Sequence, residues 1–256
     1  MYGCLSLGDD DVHLWEADLD ARDLDSDQWT YLLSDDEMAR AQRFHFERDE
    51  RRFIRAHGML RSLLGVYLKA KPSVLTFDYG SNQKPQLALP WAESGLSFNI
   101  AHSQQIGIFA FTRNREIGVD IECIRDIADM DGIAETNFHR NERASLQAMP
   151  PGERKAAFFR CWTRKEAFIK AIGQGLSHPL DQFDVSVAAG KPDRASVIDH
   201  GLGSKWEIWD VPIGSIGSAA VAVQGKGLKI TIRRCTGCLP DRSWSREGFD
   251  ESQGAA

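Results

Sequence analysis

The sequence lacks three things: hydrophobic runs long enough to cross a membrane, an excess of positive charge, and a dense set of cysteines. A membrane-spanning helix needs ~20 consecutive apolar residues, and no run approaches that length, so we expect no membrane partner. Acidic residues outnumber basic ones by 37 to 31, for a formal net charge of −6. This balance argues against a nucleic-acid partner, because such binding depends on neutralising phosphates.

The first residues, MYGCLSLGDDDVHLW, have no positively charged segment and run into three aspartates. They therefore predict neither a signal peptide nor a transit peptide. The five cysteines are odd in number and scattered, which favours free thiols in a reducing compartment. We therefore predict a cytoplasmic protein.

The hydrophobic pattern predicts the order helix, strands, helix, strands. Residues 32–68 favour a helix, with Ser34 followed by an acidic first turn. After Pro72 come short β-like runs separated by Gly, Pro and Asn clusters. A second long helix ends at Gly173 and Gly175, and further strands follow it.

This order predicts an α+β fold made of two similar halves. We place an N-terminal α+β subdomain at residues 1–113 and a C-terminal α+β subdomain at residues 114–235. The remaining residues, 236–256, are rich in Gly, Ser, Arg and Asp with little apolar periodicity. We expect them to form a mobile tail.

The second long helix contains the segment WTRKEAFIKAIGQGL, which places a lysine on an apolar stripe. At 3.6 residues per turn, Lys165 falls on the same face as Phe158, Trp162, Ile169 and Ile172. On the neighbouring flank, Glu166 and Lys170 are four residues apart and therefore adjacent on the helix surface. The pattern raises the question of what a charged flank at the edge of a core would serve.

The segment GVDIE places two carboxylates on one face of a strand, since side chains alternate between its faces. A solvated strand face explains an isolated D-x-E. Here the strand is otherwise hydrophobic, and paired carboxylates near a core are costly without a cation. Mg²⁺ suits such oxygen ligands. We predict Asp120 and Glu122 as metal ligands, with Glu166 as the third carboxylate.

A metal that carries a diphosphate calls for further cations and donors around the phosphates. Lys170, one turn from Glu166, can reach a phosphate oxygen that becomes the leaving group. Lys84 lies in a turn that the following proline makes rigid. Asn99 and His102 come just before a glycine-containing turn, where backbone N–H groups and an imidazole can meet an anion.

Taken together, FNIAHS, GVDIE, WTRKEAFIKAIGQGL and PLDQFDV closely resemble the motifs of the 4′-phosphopantetheinyl transferase superfamily, in its larger, monomeric, surfactin-type branch. The resemblance covers roughly residues 40–232. A G-x-D-x-E element followed about forty residues later by W-x-x-K-E-x-x-x-K is a specific combination, whereas either motif alone is modest. The resemblance implies a monomeric pseudo-dimer of two α+β halves, with coenzyme A bound in the cleft between them.

Position by position, the resemblance implies roles for individual residues. It makes the three carboxylates the Mg²⁺ ligands that hold the coenzyme A diphosphate, which Lys170 also contacts. Lys84 and His102 match residues at the 3′-phosphate and nucleotide end, and Asn99 belongs to the same motif. Arg40 and Arg52 fall where the family places nucleotide-binding residues.

Two further residues match the family pattern. Glu142 matches a glutamate proposed as a base in some members. Lys165 matches the lysine of W-x-x-K-E, and we expect it to be a buried partner for one of the carboxylates.

The sequence departs from the family pattern at two positions. Ala101 stands where the family usually has the first serine of S-H-S, which removes a hydroxyl near the coenzyme A phosphates. Gln83 stands where the family has the glycine of G-K-P. We therefore expect this turn to adopt a backbone conformation that does not need glycine.

The implied reaction moves the 4′-phosphopantetheine group from coenzyme A to a serine of an apo acyl, peptidyl or polyketide carrier protein, releasing adenosine 3′,5′-bisphosphate. Glu166 is our first choice for the base that takes the serine proton, and Glu142 is the second. Three alternatives stay open. They are an impaired paralogue that binds a carrier protein or coenzyme A, a Mg²⁺-dependent nucleotide or diphosphate hydrolase, and a structural protein.

Overall fold

Most of the strands belong to two antiparallel sheets of four strands each. The computed structural model describes residues 5–21, 27–80, 82–175, 178–187, 194–197, 205–214 and 216–235. The described residues fall into two compact units. One is built mainly from residues 19–75, and the other comprises residues 7–18 and 76–234.

The first unit is helical, and its helices begin where the sequence supplies caps. The Ser34 hydroxyl accepts a hydrogen bond from the Glu37 N–H, and the Glu37 carboxylate accepts one from the Ser34 N–H. This capping box confirms Ser34 as the predicted N-cap. The predicted helix over residues 32–68 is divided in two by residues 42–46. The helices of this unit are α1 (Asp27–Thr30), α2 (Asp35–Ala41) and α3 (Glu47–Leu68), followed by a 3-10 turn at Pro72–Val74.

A buried ion pair joins α2 to α3. The Nε of Arg61 lies 2.7 Å from Oε2 of Glu37, and Nδ1 of His57 lies 3.2 Å from Oε1. Burial alone would raise the pKa of Glu37, but the bond to His57 and the charge of Arg61 outweigh it and lower the pKa to about 2. The carboxylate therefore stays ionised and holds the two helices together.

The first sheet, in the second unit, has the order β10-β1-β5-β4. In its register Phe98 lies opposite Phe111 and Ala101 opposite Ile108. The first strand was absent from our sequence prediction, because only a few apolar residues stand between its aspartates. The strands are β1 (Asp11–Asp18), β4 (Leu96–Ser103), β5 (Ile106–Arg113) and β10 (Lys229–Cys235), with a small hairpin of β2 (Phe77–Tyr79) and β3 (Pro85–Leu87) and a 3-10 turn at Trp91–Ser94.

The second sheet has the order β6-β9-β8-β7, so that β6 is an edge strand. One face of β6, with Val119 and Ile121, shares a buried core with Ala101 and Ile108 of the first sheet. The other face packs against α6. The strands are β6 (Ile117–Cys123), β7 (Arg194–Ser196), β8 (Trp206–Asp210) and β9 (Gly217–Gln224); the helices are α4 (Met130–Asn137), α5 (Arg140–Gln147) and α6 (Pro151–Ile172), with a 3-10 turn at Leu180–Gln182.

The mixture of helices and antiparallel sheets confirms the predicted α+β class. The boundary at residue 113 stays a prediction, and the proposed tail at 236–256 lies outside the described residues. Within the described part of the chain, no helix combines the length and apolar character that crossing a membrane requires. Cys123 and Cys161 are free as predicted, and both are buried. Cys235 is disulfide-bonded, so the prediction of free thiols is wrong there.

Candidate active site

A glycine allows α6 to lie directly on β6. A Cβ atom added to Gly118 would stand 2.1 Å from the carbonyl oxygen of Ala167 and 2.3 Å from the amide nitrogen of Ala171. Both atoms are backbone, so no rotation of a side chain could relieve the overlap. The residues two and four positions after Gly118 point to the same face. Asp120 and Glu122 therefore project from β6 beside the helix.

Asp120 meets a lysine from that helix. The Nζ of Lys170 lies 2.6 Å from Oδ1 of Asp120. Oδ2 of the same carboxylate is buried and has no hydrogen-bond partner among the described residues. Burial raises the pKa of Asp120, although the charge of Lys170 opposes this effect. Half of a buried carboxylate is thus left without a partner, which is costly unless a ligand supplies one.

The two other predicted carboxylates, Glu122 and Glu166, interact electrostatically with Asp120. Burial raises the pKa of Glu166, and the negative charges of Asp120 and Glu122 raise it further. Glu122 accepts a hydrogen bond of 3.0 Å from Nη1 of Arg125. The predicted neighbourhood of Asp120, Glu122, Glu166 and Lys170 is therefore present, and its negative charges repel one another.

These residues fit a divalent cation in their chemistry, although they do not form a finished cage. Three carboxylates and an orphaned buried oxygen are the hard donors that Mg²⁺ prefers. However, no group of three or more His, Cys, Asp or Glu side chains in the described ranges is arranged to hold an ion. Mg²⁺ is commonly bound by one or two carboxylates and completed by water and substrate phosphates. The donor set suits that mode of binding.

Lys84 lies in the turn between β2 and β3 and closes the end of α6. Its Nζ donates to the carbonyl oxygens of Ala171 (2.9 Å) and Ile117 (3.1 Å) and to the carboxylate of Glu116 (3.2 Å). The last carbonyls of a helix have no partner within the helix, and a cation there is favoured by the helix dipole. Lys84 is therefore a helix cap in this structure, and its predicted contact with a nucleotide phosphate stays a prediction.

The residue before Lys84 has a left-handed backbone. Gln83 has φ of 59°, and Asn82 next to it donates from Nδ2 to the carbonyl oxygen of Gly173 at 2.9 Å. Our expectation that this turn would not need glycine is wrong, because a left-handed φ is strained for any residue with a Cβ.

A cavity of about 200 Å³ opens beside Lys170. Asn99 lines it, and its Oδ1 accepts a hydrogen bond of 2.9 Å from the N–H of Val119. His102 lies two residues before the β4–β5 turn and is exposed. Their predicted contacts with coenzyme A stay predictions. The walls of the cavity are formed by Asn82, Gln83, Lys84, Pro85, Asn99, Ile100, Ile169, Lys170, Gly173 and Gly175.

The lysine on the apolar stripe forms a second, separate ion pair. Nζ of Lys165 lies 2.8 Å from Oε2 of Glu142 and donates to the carbonyl oxygens of Leu180 and Phe183, each at 2.7 Å. Both side chains are completely buried. This confirms the expected buried partner for Lys165 and explains how α6 tolerates a charge on its apolar stripe.

The same contacts argue against Glu142 as the base. Its Oε1 accepts a hydrogen bond from the N–H of Val185 at 2.9 Å, and its Oε2 accepts one from the N–H of His139 at 2.8 Å. Burial raises the pKa of Glu142 against the charge of Lys165. Because the Glu142 side chain is also completely buried, neither of its oxygens is accessible to a substrate.

Arg40 and Arg52 belong to the helical unit. The guanidinium of Arg40 lies 5.8 Å from the centre of the Phe53 ring. Arg52 holds Asp20 with two hydrogen bonds, one of them 3.0 Å from Nε to Oδ1. Their proposed contacts with a nucleotide stay predictions.

Our sequence reasoning missed three residues that shape the site. Gly118 appeared only as the first letter of G-x-D-x-E, although its missing side chain sets the distance between strand and helix. Arg125 pairs with Glu122, and a basic residue three positions after a motif carboxylate is a weak signal. Ser103 accepts a hydrogen bond from the N–H of Cys123 at 3.1 Å, which no sequence pattern indicated.

Comparison with protein families gives two matches that cover adjacent segments. Residues 116–224 match the 4′-phosphopantetheinyl transferase superfamily, and residues 23–113 match the N-terminal region of 4′-phosphopantetheinyl transferases. A solved structure of the Thermotoga maritima holo-[acyl-carrier-protein] synthase overlaps 43% of this chain and 63% of its own, with a TM-score of 0.35 and 19% identity. The family assignment rests on sequence relatives instead.

Two curated relatives align over most of the chain. The 4′-phosphopantetheinyl transferase HetI of Nostoc sp. is 37% identical over 223 residues, which are 87% of this chain and 92% of the relative. The 4′-phosphopantetheinyl transferase Sfp of Bacillus subtilis (strain 168) is 32% identical over 162 residues, 63% of this chain and 69% of the relative. With the motif carboxylates gathered on β6 and α6, the chain belongs to the 4′-phosphopantetheinyl transferase superfamily.

Proposed function

We propose that the chain transfers the 4′-phosphopantetheine group of coenzyme A to a serine of an apo carrier protein in a Mg²⁺-dependent reaction that releases adenosine 3′,5′-bisphosphate. Membership of the superfamily supports the transfer itself. The observation that carries the proposed site is the carboxylate of Asp120, which is buried, joined to Lys170 on one oxygen and without a hydrogen-bond partner on the other within the described part of the chain.

Asp120, Glu122 and Glu166 would hold the Mg²⁺ ion, whose charge would offset that of the coenzyme A diphosphate. Their mutual repulsion favours binding of a cation, because each carboxylate destabilises the charged form of the others. Arg125 limits this effect at Glu122, where it already offsets part of the negative charge.

Lys170 would neutralise the leaving group. Its side chain is 34% exposed, and an ammonium has three N–H donors, so it can donate to a phosphate oxygen while it remains beside Asp120. A preorganised cation at the position where negative charge develops is among the larger contributions to catalysis. The helix holds Lys170 rigidly, since α6 lies in backbone contact with β6 at Gly118.

Glu166 would act as the base. In the transfer, the serine oxygen bonds to the phosphorus attached to the pantetheine arm, the bond from that phosphorus to the bridging oxygen breaks, and adenosine 3′,5′-bisphosphate leaves. The serine proton passes to a carboxylate of the site. Glu166 is half-buried beside the other acidic groups and remains open to solvent, whereas Glu142 is closed on both oxygens.

An assay of intact mass tests the proposed function. The chain is incubated with coenzyme A, Mg²⁺ and an apo carrier protein, and the carrier is weighed with and without a chelator. We expect a gain equal to one phosphopantetheine group that disappears when the cation is removed. Unmodified carrier with intact coenzyme A would support a binding protein, and hydrolysed coenzyme A would support a hydrolase.

The class of carrier protein, the monomeric state and the cytoplasmic location stay predictions. The net charge of −6 matters for the first of these, because a carrier with an acidic recognition surface would be repelled by the overall field. A local basic or apolar surface would then have to provide recognition.

A further inference from the structure

Two side chains of β4 hold the strand that carries the metal-site carboxylates. Oδ1 of Asn99 accepts a hydrogen bond from the N–H of Val119 at 2.9 Å, and Oγ of Ser103 accepts one from the N–H of Cys123 at 3.1 Å. The acceptors are four residues apart on β4, and the donors are four residues apart on β6. The strands therefore run side by side in the same direction at a fixed register, joined through side chains.

These two hydrogen bonds occupy backbone N–H groups of β6 that its pairing with β9 leaves free. β6 is the edge strand of its sheet, and β9 pairs with it on one side only. In an antiparallel ladder, alternate residues direct their N–H groups to the partner strand, and the others point away. A buried N–H without an acceptor is costly. Asn99 and Ser103 supply acceptors on the side away from β9.

We propose that Asn99 and Ser103 are positioning residues that fix the segment presenting Asp120 and Glu122, a role that rests on the proposed function of those carboxylates. The anchored N–H groups, at Val119 and Cys123, bracket both acidic residues. The backbone that carries both carboxylates cannot shift along β4 or away from it without breaking one of these bonds. The pair thus holds the acidic residues at their distance from Lys170 on α6.

Ala101 lies midway between Asn99 and Ser103 and shares a buried core with Ile121, which lies midway between Val119 and Cys123. Its methyl group accepts no hydrogen bond, so the side-chain anchors of β4 at these positions are Asn99 and Ser103.

Amide hydrogen exchange of the ligand-free protein, followed residue by residue by NMR, tests the proposal. In Ser103→Ala, we expect the Cys123 amide to exchange faster by on the order of five- to tenfold, relative to Val221 in the same sheet. Ser103→Thr keeps the hydroxyl and should leave the rate within about twofold of the original. Equal exchange at Cys123 in the original chain and in Ser103→Ala would overturn the proposal.

Thr112→Val provides a matched control. The Thr112 hydroxyl donates to the carbonyl oxygen of Asp11 within the first sheet, so its loss also removes one hydrogen bond between a hydroxyl and the backbone, but one that does not touch β6. Exchange at Cys123 should be unaffected in this variant. If Thr112→Val accelerated Cys123 as much as Ser103→Ala does, general destabilisation would explain both results and the proposal would fail.

Asn99→Ala tests the other anchor and applies even if Ser103→Ala does not fold. The substitution removes the acceptor of the Val119 N–H, so the Val119 amide should exchange faster by on the order of five- to tenfold relative to Val221. Unchanged exchange at Val119 would contradict the proposal.

A kinetic measurement separates this proposal from the proposed function. Ser103→Ala should lower kcat for carrier modification by on the order of tenfold and raise the Mg²⁺ concentration needed for half-maximal rate, with the KM for the carrier unchanged. If the original chain modifies no carrier, the proposed function fails whatever the exchange data show. If it does modify the carrier and Ser103→Ala is kinetically normal, the positioning role fails alone.

Discussion

Helix α6 carries two lysines, each paired with a carboxylate, and the two ion pairs differ in how completely their atoms are bonded. Lys165 and Glu142 are fully buried, and every contact is made by the protein: two carbonyls on the lysine and two N–H groups on the carboxylate. Lys170 and Asp120 lie at a similar separation, 2.6 Å against 2.8 Å, but one oxygen of Asp120 has no described partner and the lysine is partly exposed.

The difference separates a structural pair from a binding site on the same helix. A buried charge pair is tolerable when further hydrogen bonds satisfy it, and removing one partner then leaves a charge stranded. The Lys165–Glu142 pair meets that description. The Lys170–Asp120 pair remains incomplete and stands next to two further carboxylates, so a cation or a phosphate would improve its energy. Distance alone would not have distinguished the two pairs.

Breaking the fully bonded Lys165–Glu142 pair, which we call the closed pair, should give the largest effect on stability. Glu142→Gln leaves the ammonium of Lys165 buried without a counter-charge, and we expect a loss of about 3–5 kcal/mol in the free energy of unfolding. Urea denaturation measures this loss. The double variant Glu142→Leu, Lys165→Met should lose less than the two single variants combined, because no charge is then stranded.

Activity per folded molecule gives an independent result for the same variant. If Glu142 is structural, the fraction of Glu142→Gln that remains folded in the cold should transfer at a rate within about threefold of the original. A loss of about a hundredfold with the fold preserved would return Glu142 to consideration as the base.

The site formed by Asp120, Glu166 and Lys170 is called the open site, and altering it should affect catalysis instead of folding. We expect Glu166→Gln to reduce the transfer rate by on the order of 10²–10³, measured by the rate of carrier modification. The thermal midpoint should not fall, since the substitution removes a half-buried charge that Asp120 and Glu122 repel. Near-normal turnover would remove Glu166 from the mechanism.

Much of the open site could be predicted because it depends on local periodicity. Alternation on β6 places Asp120 and Glu122 on one face, and the four-residue spacing on α6 makes Glu166 and Lys170 neighbours. Both rules act within one element. The choice of Glu166 as the third carboxylate had no local pattern behind it, because about thirty residues separate β6 from α6, and the family resemblance supplied the support for pairing the two elements.

The closed pair and the turn beside α6 show what local patterns leave undecided. Glu142 has the same side chain as Glu166, and its character as a structural group depends on backbone donors from His139 and Val185. Gln83 adopts its left-handed φ because neighbouring residues bind the end of α6. Such contacts form between segments that are distant in the sequence, so they cannot be predicted from single residues.

The buried carboxylate of Glu37 in the helical unit is, like that of Glu142, bonded on both oxygens within the protein. The dependence of stability on pH tests what such a carboxylate contributes. The pKa of Glu37 is about 2 in the folded protein against an ordinary value of 4.5, so the folded state binds fewer protons than the unfolded state between these values. Its contribution, on the order of 3 kcal/mol, is present above pH 4.5 and lost as the pH falls toward 2. Denaturation across this range should show a steeper dependence of stability on pH for the original chain than for Glu37→Gln.

A change at the contact between strand and helix should affect the open site mechanically. In Gly118→Ala, the new methyl group overlaps backbone atoms of Ala167 and Ala171, so β6 and α6 must separate. We expect a loss of about 1–3 kcal/mol in stability together with weaker carrier modification. Gly152→Ala is the matched control, since a Cβ there meets nothing within 4 Å. Equal effects of the two substitutions would show that the close approach is unimportant.

The smallest expected effect is a gain at the turn that caps α6. Gln83→Gly relieves a left-handed strain of ~1–2 kcal/mol against a loss of ~0.5–1 kcal/mol from the greater freedom of the unfolded chain, leaving a net stabilisation between zero and about 1.5 kcal/mol. Gln104, with φ of 51° in the β4–β5 turn, is the control, and Gln104→Gly should gain as much. If only Gln104→Gly is stabilised, the Gln83 side chain must contribute contacts of its own beside the cavity.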